Sequence, residues 1–344
     1  MPQSLAEFER AFASAGDDCA AQIRVLLAGA VRAPSTHNCQ PWRFRIDGHT
    51  LEVFLDDRIR LPYSDKDAHY AHISIGFLLH HLKVLGDFLG MHPEIVVTAG
   101  RVPLAVITFS SPSKEEADAF LRECAQAIFQ RRNRRGVFSP TPIPADLLAR
   151  LQTSPSELPT GLLSQPRSMI TKRSTAQRIG VLTLATMEQV YKQPAFRREM
   201  AQWIVPTGSS RRDGIPGYSL NQSRVVSWIL PHILRRFNIG KVPGKNSAAA
   251  LASAPVIFAF GADNSRVQWL SVGYEASRII ISVTAQGFDA SVYVATAELP
   301  DIREEVTELC NLSKPLCFLF AVGKLDGAVT WYTPRVPIED KIIV

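Results

Sequence analysis

What the sequence lacks narrows its class first. The chain has 344 residues, and no apolar run approaches the roughly 20 residues that cross a bilayer. The start of the chain carries Glu7, Glu9, Asp17 and Asp18 and no apolar block, so no secretory signal is expected there. Cysteine is sparse. The five at 19, 39, 124, 310 and 317 are odd in number, scattered and free of CxxC. That argues against a disulfide frame or a zinc site and points to reduced thiols in a cytoplasmic protein. GxGxxG and the P-loop are missing, which disfavours a dinucleotide fold and an NTPase. GxSxG is missing too, and Ser35 has no sequence-evident base, so no serine hydrolase is indicated. His69, His72 and His80 share a helical face, but the first and last stand about 16 Å apart at 1.5 Å per residue. They cannot serve one ion, and no metal site is expected.

The composition that remains is 46% hydrophobic and 20% charged, enough for two core-forming units. The net charge of +6 is spread along the chain apart from one knot at 131–135. Diffuse basic excess reads as solvated surface. No membrane or nucleic-acid partner is expected.

One stretch organises the rest: Ala33-Pro34-Ser35-Thr36-His37-Asn38-Cys39-Gln40-Pro41-Trp42-Arg43-Phe44. Proline fixes φ and removes a donor, so Pro34 and Pro41 pin a loop. Ser35, Asn38 and Gln40 can each donate and accept, which suits the edge of a flat polar heterocycle. Cys39 has no neighbour that would activate it and reads as a spectator thiol. A helix over 18–32 leads into the loop. Beyond it, Arg43–Ile46 and Thr50–Leu55 flank the Asp47-Gly48 turn signal of a hairpin. Apolar spacing predicts a helix over 70–89, closed by Gly90, then strands at 95–97 and 104–109. A connecting helix is expected over 115–131 and another from Ala145 to Leu151. Further on, helices are expected at 175–192 and 194–203 around a Gly/Pro-rich loop at 213–217. A strand–helix–strand–helix–strand run closes the chain, at 256–260, 269–286, 291–294, 301–310 and 316–322.

Two pieces match. Ile73-Ser74-Ile75-Gly76-Phe77 resembles Leu270-Ser271-Val272-Gly273-Tyr274, at an offset of 197. Gly76 to Gly90 and Gly273 to Gly287 both span 14 residues, and an apolar strand follows each time. A fainter echo relates Ala33-Pro34-Ser35 to Ser154-Pro155-Ser156 at an offset of 121, leaving 76 residues of insertion. We read two copies of one α+β unit, 1–114 and 115–344, the second interrupted by a lid-like insertion at about 165–250. The second copy of the key loop is ruined, with Pro159 where a second Asn38 would stand. The first copy has no equivalent of the arginine knot.

That knot, Arg131-Arg132-Asn133-Arg134-Arg135, offers planar forks of donors that match phosphate oxygens. The rival readings are a solvated helix end and a nucleic-acid contact, the latter without the aromatic interleaving such surfaces use.

Together these pieces resemble the FMN-dependent nitroreductase superfamily. Ala33-Pro34-Ser35 with Asn38, Gln40, Pro41 and Trp42 looks like its hallmark loop. The knot ahead of Phe138 is similar to its RRSxR phosphate motif, with Asn133 in place of the serine. Trp269-Leu270 with Gly273, Gln286-Gly287-Phe288 and Pro334-Arg335-Val336-Pro337 also fit. The order resembles the twin-domain (Acg-type) members most. The resemblance implies an α+β nitroreductase fold, with tandem halves forming an intrachain pseudo-dimer of antiparallel-rich sheets flanked by helices. It implies one FMN per chain in a monomer that imitates a dimer. Arg131, Asn133, Arg135 and Arg335 would hold the phosphate, Pro34, Ser35, Asn38 and Gln40 would meet the ring system, and the segment at Ala290–Val294 would pass beside it. Where many members carry Glu-Gly near that point, this chain reads Tyr293-Val294-Ala295. No catalytic residue is implied, because the flavin carries the redox chemistry. The implied activity is NAD(P)H-dependent reduction of a nitroaromatic, a quinone or another small aromatic substrate. The alternative is flavin sequestration beneath the closed lid.

Overall fold

The computed structural model describes residues 1–344 apart from 99, 100, 114–116, 154–156, 328, 330 and 344. The boundary expected at 114/115 and the echo at Ser154-Pro155-Ser156 therefore lie outside the described residues. Two capped helices begin the chain. In α1 (Leu5–Ser14) the Ser4 side chain accepts from the Glu7 N–H, and in α2 (Cys19–Ala30) Asp18 does the same for Ala21. The first sheet is built from β1 (Trp42–Asp47), β2 (Thr50–Leu55), β3 (Glu94–Val97) and β4 (Ala105–Thr108). Gly48, at φ +54°, makes the tight turn between β1 and β2. Between β2 and β3 runs the long helix α3 (His69–Phe88), ended by Gly90 at φ +72°. The linking helix α4 (Ala119–Gln130) starts at the Asp118 cap, later than its expected start at 115.

In the second half, α5 (Ala145–Gln152) is followed by β5 (Arg167–Ile170), α6 (Arg173–Val190) and α7 (Pro194–Trp203). A two-residue pair, β6 (Ile204–Val205) and β7 (Ile215–Pro216), precedes α8 (Arg224–Arg236) and α9 (Lys241–Ser253). Then come β8 (Val256–Gly261), α10 (Arg266–Ala285), β9 (Asp289–Val292), α11 (Pro300–Leu309) and β10 (Leu316–Gly323). The first sheet runs β1-β2-β4-β3 and the second β5-β8-β10-β9, the same order, and every pair in both is antiparallel.

Burial alternates along the second sheet as period 2 requires. Val256, Phe258 and Phe260 face the main core with α3 and α10, while Ile257 and Ala259 face a second core with Ile179 and Leu182 of α6 and Leu251 of α9. The region expected to be one insertion over 165–250 is therefore divided. Strand β5 and helices α6 and α9 are the outer layer of the second half. Only the segment between them stands on its own small cluster of Tyr191, Ala201, Ile204 and Leu234. Helices α8 and α9 have no counterpart in the sequence expectation. Pro231 inside α8, and Pro243 with Gly244 inside α9, mask their helical pattern.

The halves meet along α3 and α10. A Cβ placed on Gly76 would fall 2.1 Å from the Leu270 carbonyl oxygen, and one on Gly273 would fall 2.0 Å from that of Ile73. Backbone on both sides leaves no room to give. Further along, His80 Nδ1 lies 3.0 Å from Ser277 Oγ, again 197 residues apart. Strand edges are crossed as well: Thr160 bridges to Val96 beside the first sheet, and Ile342 bridges to Phe44 on its other edge.

Gly76→Ala or Gly273→Ala should each lower unfolding stability by about 3 kcal/mol. Gly136→Ala, whose new Cβ meets only Leu325 at 3.4 Å, should stay within about 1 kcal/mol in the same urea titration. Burial pushes His80 down to about 3. Its folded value lies below its unfolded one, so this stability is present above pH about 6.5 and is lost as pH falls towards 4. His80→Gln should flatten the stability–pH slope in that window by up to about 1.4 kcal/mol per pH unit.

Candidate functional site

The proline-pinned loop leaves α2 and turns through Thr36–Asn38 with three non-glycine residues in the left-handed region. These are His37 (φ 52°), Asn38 (φ 56°) and Gln40 (φ 55°). Each such residue carries strain of about 1–3 kcal/mol, kept only where the surroundings over-determine it. Here they do. Ser35 Oγ accepts from the Gln40 N–H at 2.9 Å. Asn38 Nδ2 donates to the Pro334 carbonyl at 3.1 Å. The Gln40 side chain accepts from Val336 N at 2.9 Å and donates to the carbonyls of Asn38 and Arg212 at 3.2 and 3.0 Å. Its own carbonyl accepts from Lys341 Nζ at 2.8 Å. Asn38 Oδ1 has no protein partner among the described residues, while the Ser35 hydroxyl is hydrogen-bonded to the Cys39 thiol. Cys39 is buried, which pushes its thiol up to about 12 and leaves it inert.

A second anchor holds the same loop from the far segment. Glu199 on α7 is a buried carboxylate that accepts from the backbone N–H groups of Tyr63 and Ser64, both at 2.9 Å, and from the Ser64 hydroxyl. Ser64 Oγ lies 3.0 Å from His37 Nε2, and burial lowers His37 to about 4. His37 is thus held neutral.

The arginine knot arrives at the loop from the end of α4. Arg131 Nη2 donates to the Arg32 carbonyl at 3.3 Å. Arg335 spreads its donors over the carbonyls of Val31, Arg32, Ala33, Thr333 and Pro334, capping α2 and tying the C-terminal segment to it. Arg132 caps α4 through the carbonyls of Phe129, Gln130 and Arg131 and lies 3.8 Å over the Tyr332 ring. Arg32, which sequence reading passed over, joins this group. It sits one residue ahead of the Ala33-Pro34-Ser35 motif, and that adjacency was the available signal.

Burial lowers all four guanidinium groups, and repulsion from neighbouring arginines lowers Arg32, Arg131 and Arg335 further: Arg32 to about 10, Arg131 to about 9, and Arg335 well below its ordinary value. Among the described residues no carboxylate forms an ion pair with any of them, whereas Arg134 pairs with Asp289 at 3.2 Å. The Nε atoms of Arg32 and Arg131 and the Nε2 of fully buried His81 have no hydrogen-bond partner. Buried cations without a counter-charge are expensive. This cluster is built for an anion.

The expected site residues divide into two groups. Pro34, Ser35, Asn38, Gln40, Arg131 and Arg335 gather at the loop. Asn133 and Arg135 lie on β9 instead. Asn133 bridges to Ala290 and its Oδ1 accepts from Val292 N at 3.0 Å. Arg135 donates to Ser247 Oγ and to the Val292 carbonyl, at 3.3 and 3.1 Å, and covers the Tyr293 ring. A cleft of about 160 Å³, lined by Arg131, Arg132, Arg134, Asp289 and Ala290, opens beside the knot. Among the described residues no group of three or more His, Cys, Asp or Glu is placed to hold a metal ion.

Such a loop-and-arginine site on this fold defines a class. No family model matches the chain. It nevertheless belongs to the nitroreductase family. The Mycobacterium tuberculosis protein named "Putative NAD(P)H nitroreductase acg" is 34% identical over 328 residues, covering 92% of this chain and 94% of that one. A second M. tuberculosis relative, "Putative NAD(P)H nitroreductase Rv3131", is 26% identical over 291 residues, covering 83% and 79%. Among solved structures, the FMN and NADPH-dependent nitroreductase NfnB of a Sphingopyxis strain aligns over 64% of this chain and 98% of its own, at 18% identity and a TM-score of 0.43.

Inorganic phosphate at 100 times its dissociation constant should stabilise the flavin-free protein by about 2.7 kcal/mol. The thermal midpoint should rise with phosphate and not with chloride at equal ionic strength. Arg131→Met should abolish that rise while leaving the unliganded protein at least as stable, because it removes a buried, unpaired charge.

Proposed function

We propose that this chain binds one FMN and acts as an NAD(P)H-dependent oxidoreductase on a nitroaromatic, a quinone or another small aromatic acceptor. The observation that carries the reading is the cluster of Arg32, Arg131, Arg132 and Arg335 beside the Ser35–Asn38–Gln40 loop, none of which forms an ion pair with a carboxylate among the described residues. The residues present fit the group. A phosphate dianion supplies acceptors for the orphaned Nε atoms of Arg32 and Arg131. Asn38 Oδ1, without a protein partner, gives an acceptor for a heterocycle edge. The names of the two M. tuberculosis relatives agree with the activity.

FMN, when bound, would supply hydride acceptance and release. The chain's own residues would do the positioning. Arg131 and Arg32 would neutralise the phosphate, with Arg335 fixing the end of α2 from which the loop departs. Asn133 and Arg135 would brace β9 through Val292, so that Ala290 borders the site, beside the phosphate role that the motif implies for them. The strained backbone at His37, Asn38 and Gln40 would keep the loop's donors pre-aimed.

The same reading covers organisation. The two halves would act as a pseudo-dimer within a monomer. Their common strand order and the contacts at an offset of 197 support this. The segment between α6 and α9 would be the lid. It is tied over the loop by Gln40 to Arg212, by Tyr218 Oη donating to the Tyr332 carbonyl at 2.8 Å, and by Glu199. These ties cover the loop, so a flavin ring meeting Asn38 and Gln40 would need this segment to lift. That closure favours a second reading, in which the protein sequesters FMN and turns over little.

Purified holoprotein should be yellow and release FMN on denaturation. Mixed anaerobically with NADPH or NADH, it should bleach within seconds if it is an oxidoreductase. A flavin that dithionite reduces but neither nicotinamide bleaches would establish sequestration. Colourless protein that takes up no added FMN would overturn both readings.

A further inference from the structure

Helix α8 packs inward through Ser227, Pro231 and Leu234, with Leu230 beside them. Its other side is apolar and open. Val225, Ile229 and Ile233, spaced four apart, are 69%, 49% and 37% exposed and form one stripe along the helix. Trp228 (57%) and Val226 flank the stripe, and Phe237 (61%) and Val242 (64%) continue it past the helix end. Seven large apolar side chains on one face is far from the scattered exposure of a monomer surface.

Charge selects the occupant. From Gly214 to Ala262 the chain has no aspartate or glutamate, but it has Arg224, Arg235, Arg236, Lys241 and Lys245. All five are exposed, and none forms an ion pair among the described residues. A second copy of this chain fits poorly, because a two-fold contact centred on the stripe would bring its wholly cationic rim, Arg224 at one end and Arg235 and Arg236 at the other, against an identical rim. Nucleic acid fits poorly too, because the centre of the face is aliphatic and offers one ring, Trp228, for stacking. An apolar stripe with one tryptophan, rimmed by arginine and lysine, matches the physics of a helix lying in a lipid interface.

We propose that α8 and the Phe237–Val242 turn form a peripheral docking surface for an anionic lipid bilayer. Val225, Ile229, Ile233 and Phe237 would enter the headgroup–acyl boundary, and the five cations would meet acidic headgroups. No helix of the described chain is long and apolar enough to cross a membrane, so the attachment is lateral and reversible. The surface lies on the outer side of the segment proposed above as the lid, but it uses no residue that would hold FMN and would stand if that reading failed.

The test uses the full chain with large unilamellar vesicles in a sedimentation assay. Vesicles of phosphatidylcholine with one quarter phosphatidylglycerol should carry the protein down, and pure phosphatidylcholine should not. Raising salt from about 0.1 M to about 0.5 M should release most of it, because the Debye length falls below roughly 5 Å. Binding should shift tryptophan emission to the blue, and Trp228→Phe should remove most of that shift. Arg235→Glu with Arg236→Glu should weaken partition at least about tenfold. Ile229→Glu with Ile233→Glu should abolish it, with the circular dichroism and thermal midpoint of the parent. Equal partition to both vesicle types would overturn the proposal. So would no partition to either, or gel filtration showing a dimer that Ile229→Glu with Ile233→Glu dissolves.

Discussion

The molecule hangs on the close approach of two helices. Where α3 crosses α10, carbonyl oxygens stand in the space that a Cβ would need at Gly76 and Gly273. Nothing flexible lies between the halves at that point, so the positions of the two sheets follow from it. The same crossing carries Ile75, Phe77, Leu270 and Val272 into a core shared by both halves. The first sheet is then bracketed by Thr160 and Ile342, both supplied from the second half. A loop from one half and an arginine knot from the start of the other can meet only because this frame is rigid.

Within the frame, electrostatics is left unfinished on purpose of binding. Structural arginines cap α2 and α4 through carbonyls, yet four guanidinium groups share one region with no ion pair to a carboxylate among the described residues. Several other buried charges are paired: Arg167 meets Glu275, Lys341 meets Asp56, and Arg134 meets Asp289. The cluster sits beside the three strained residues of the loop. Strain and unpaired charge in one place are features that folding alone would remove.

Much of this was legible in the residues. Alternation and the Asp47-Gly48 turn wrote the first hairpin, and 3.6-residue spacing wrote α3 and α10 within a few positions. The offset of 197 read from two short strings reappears as the physical pairs Gly76–Gly273 and His80–Ser277. The loop and the knot were visible as site material. What stayed hidden had physical reasons. Pro231, Pro243 and Gly244 interrupt α8 and α9, and tertiary packing, not propensity, keeps them helical. Strand β5 is four residues long and half-exposed, too short for a period to show. Asn133 and Arg135 lie in one motif with Arg131, but a turn of the chain after Arg131 carries them to β9, and a string shows no turn of that kind. Arg32 was missed because its role depends on where Arg131 and Arg335 come to rest.

The α3–α10 crossing has one more consequence. A homodimer encodes both sides of such a contact with a single codon, so every change is made twice and each residue on the axis must tolerate itself. This chain encodes the two sides separately. His80 can face Ser277 instead of another histidine, and Trp269 can stand against His69 and His72. On the pseudo-dimer reading proposed above, separate inheritance of the two sides frees each to specialise.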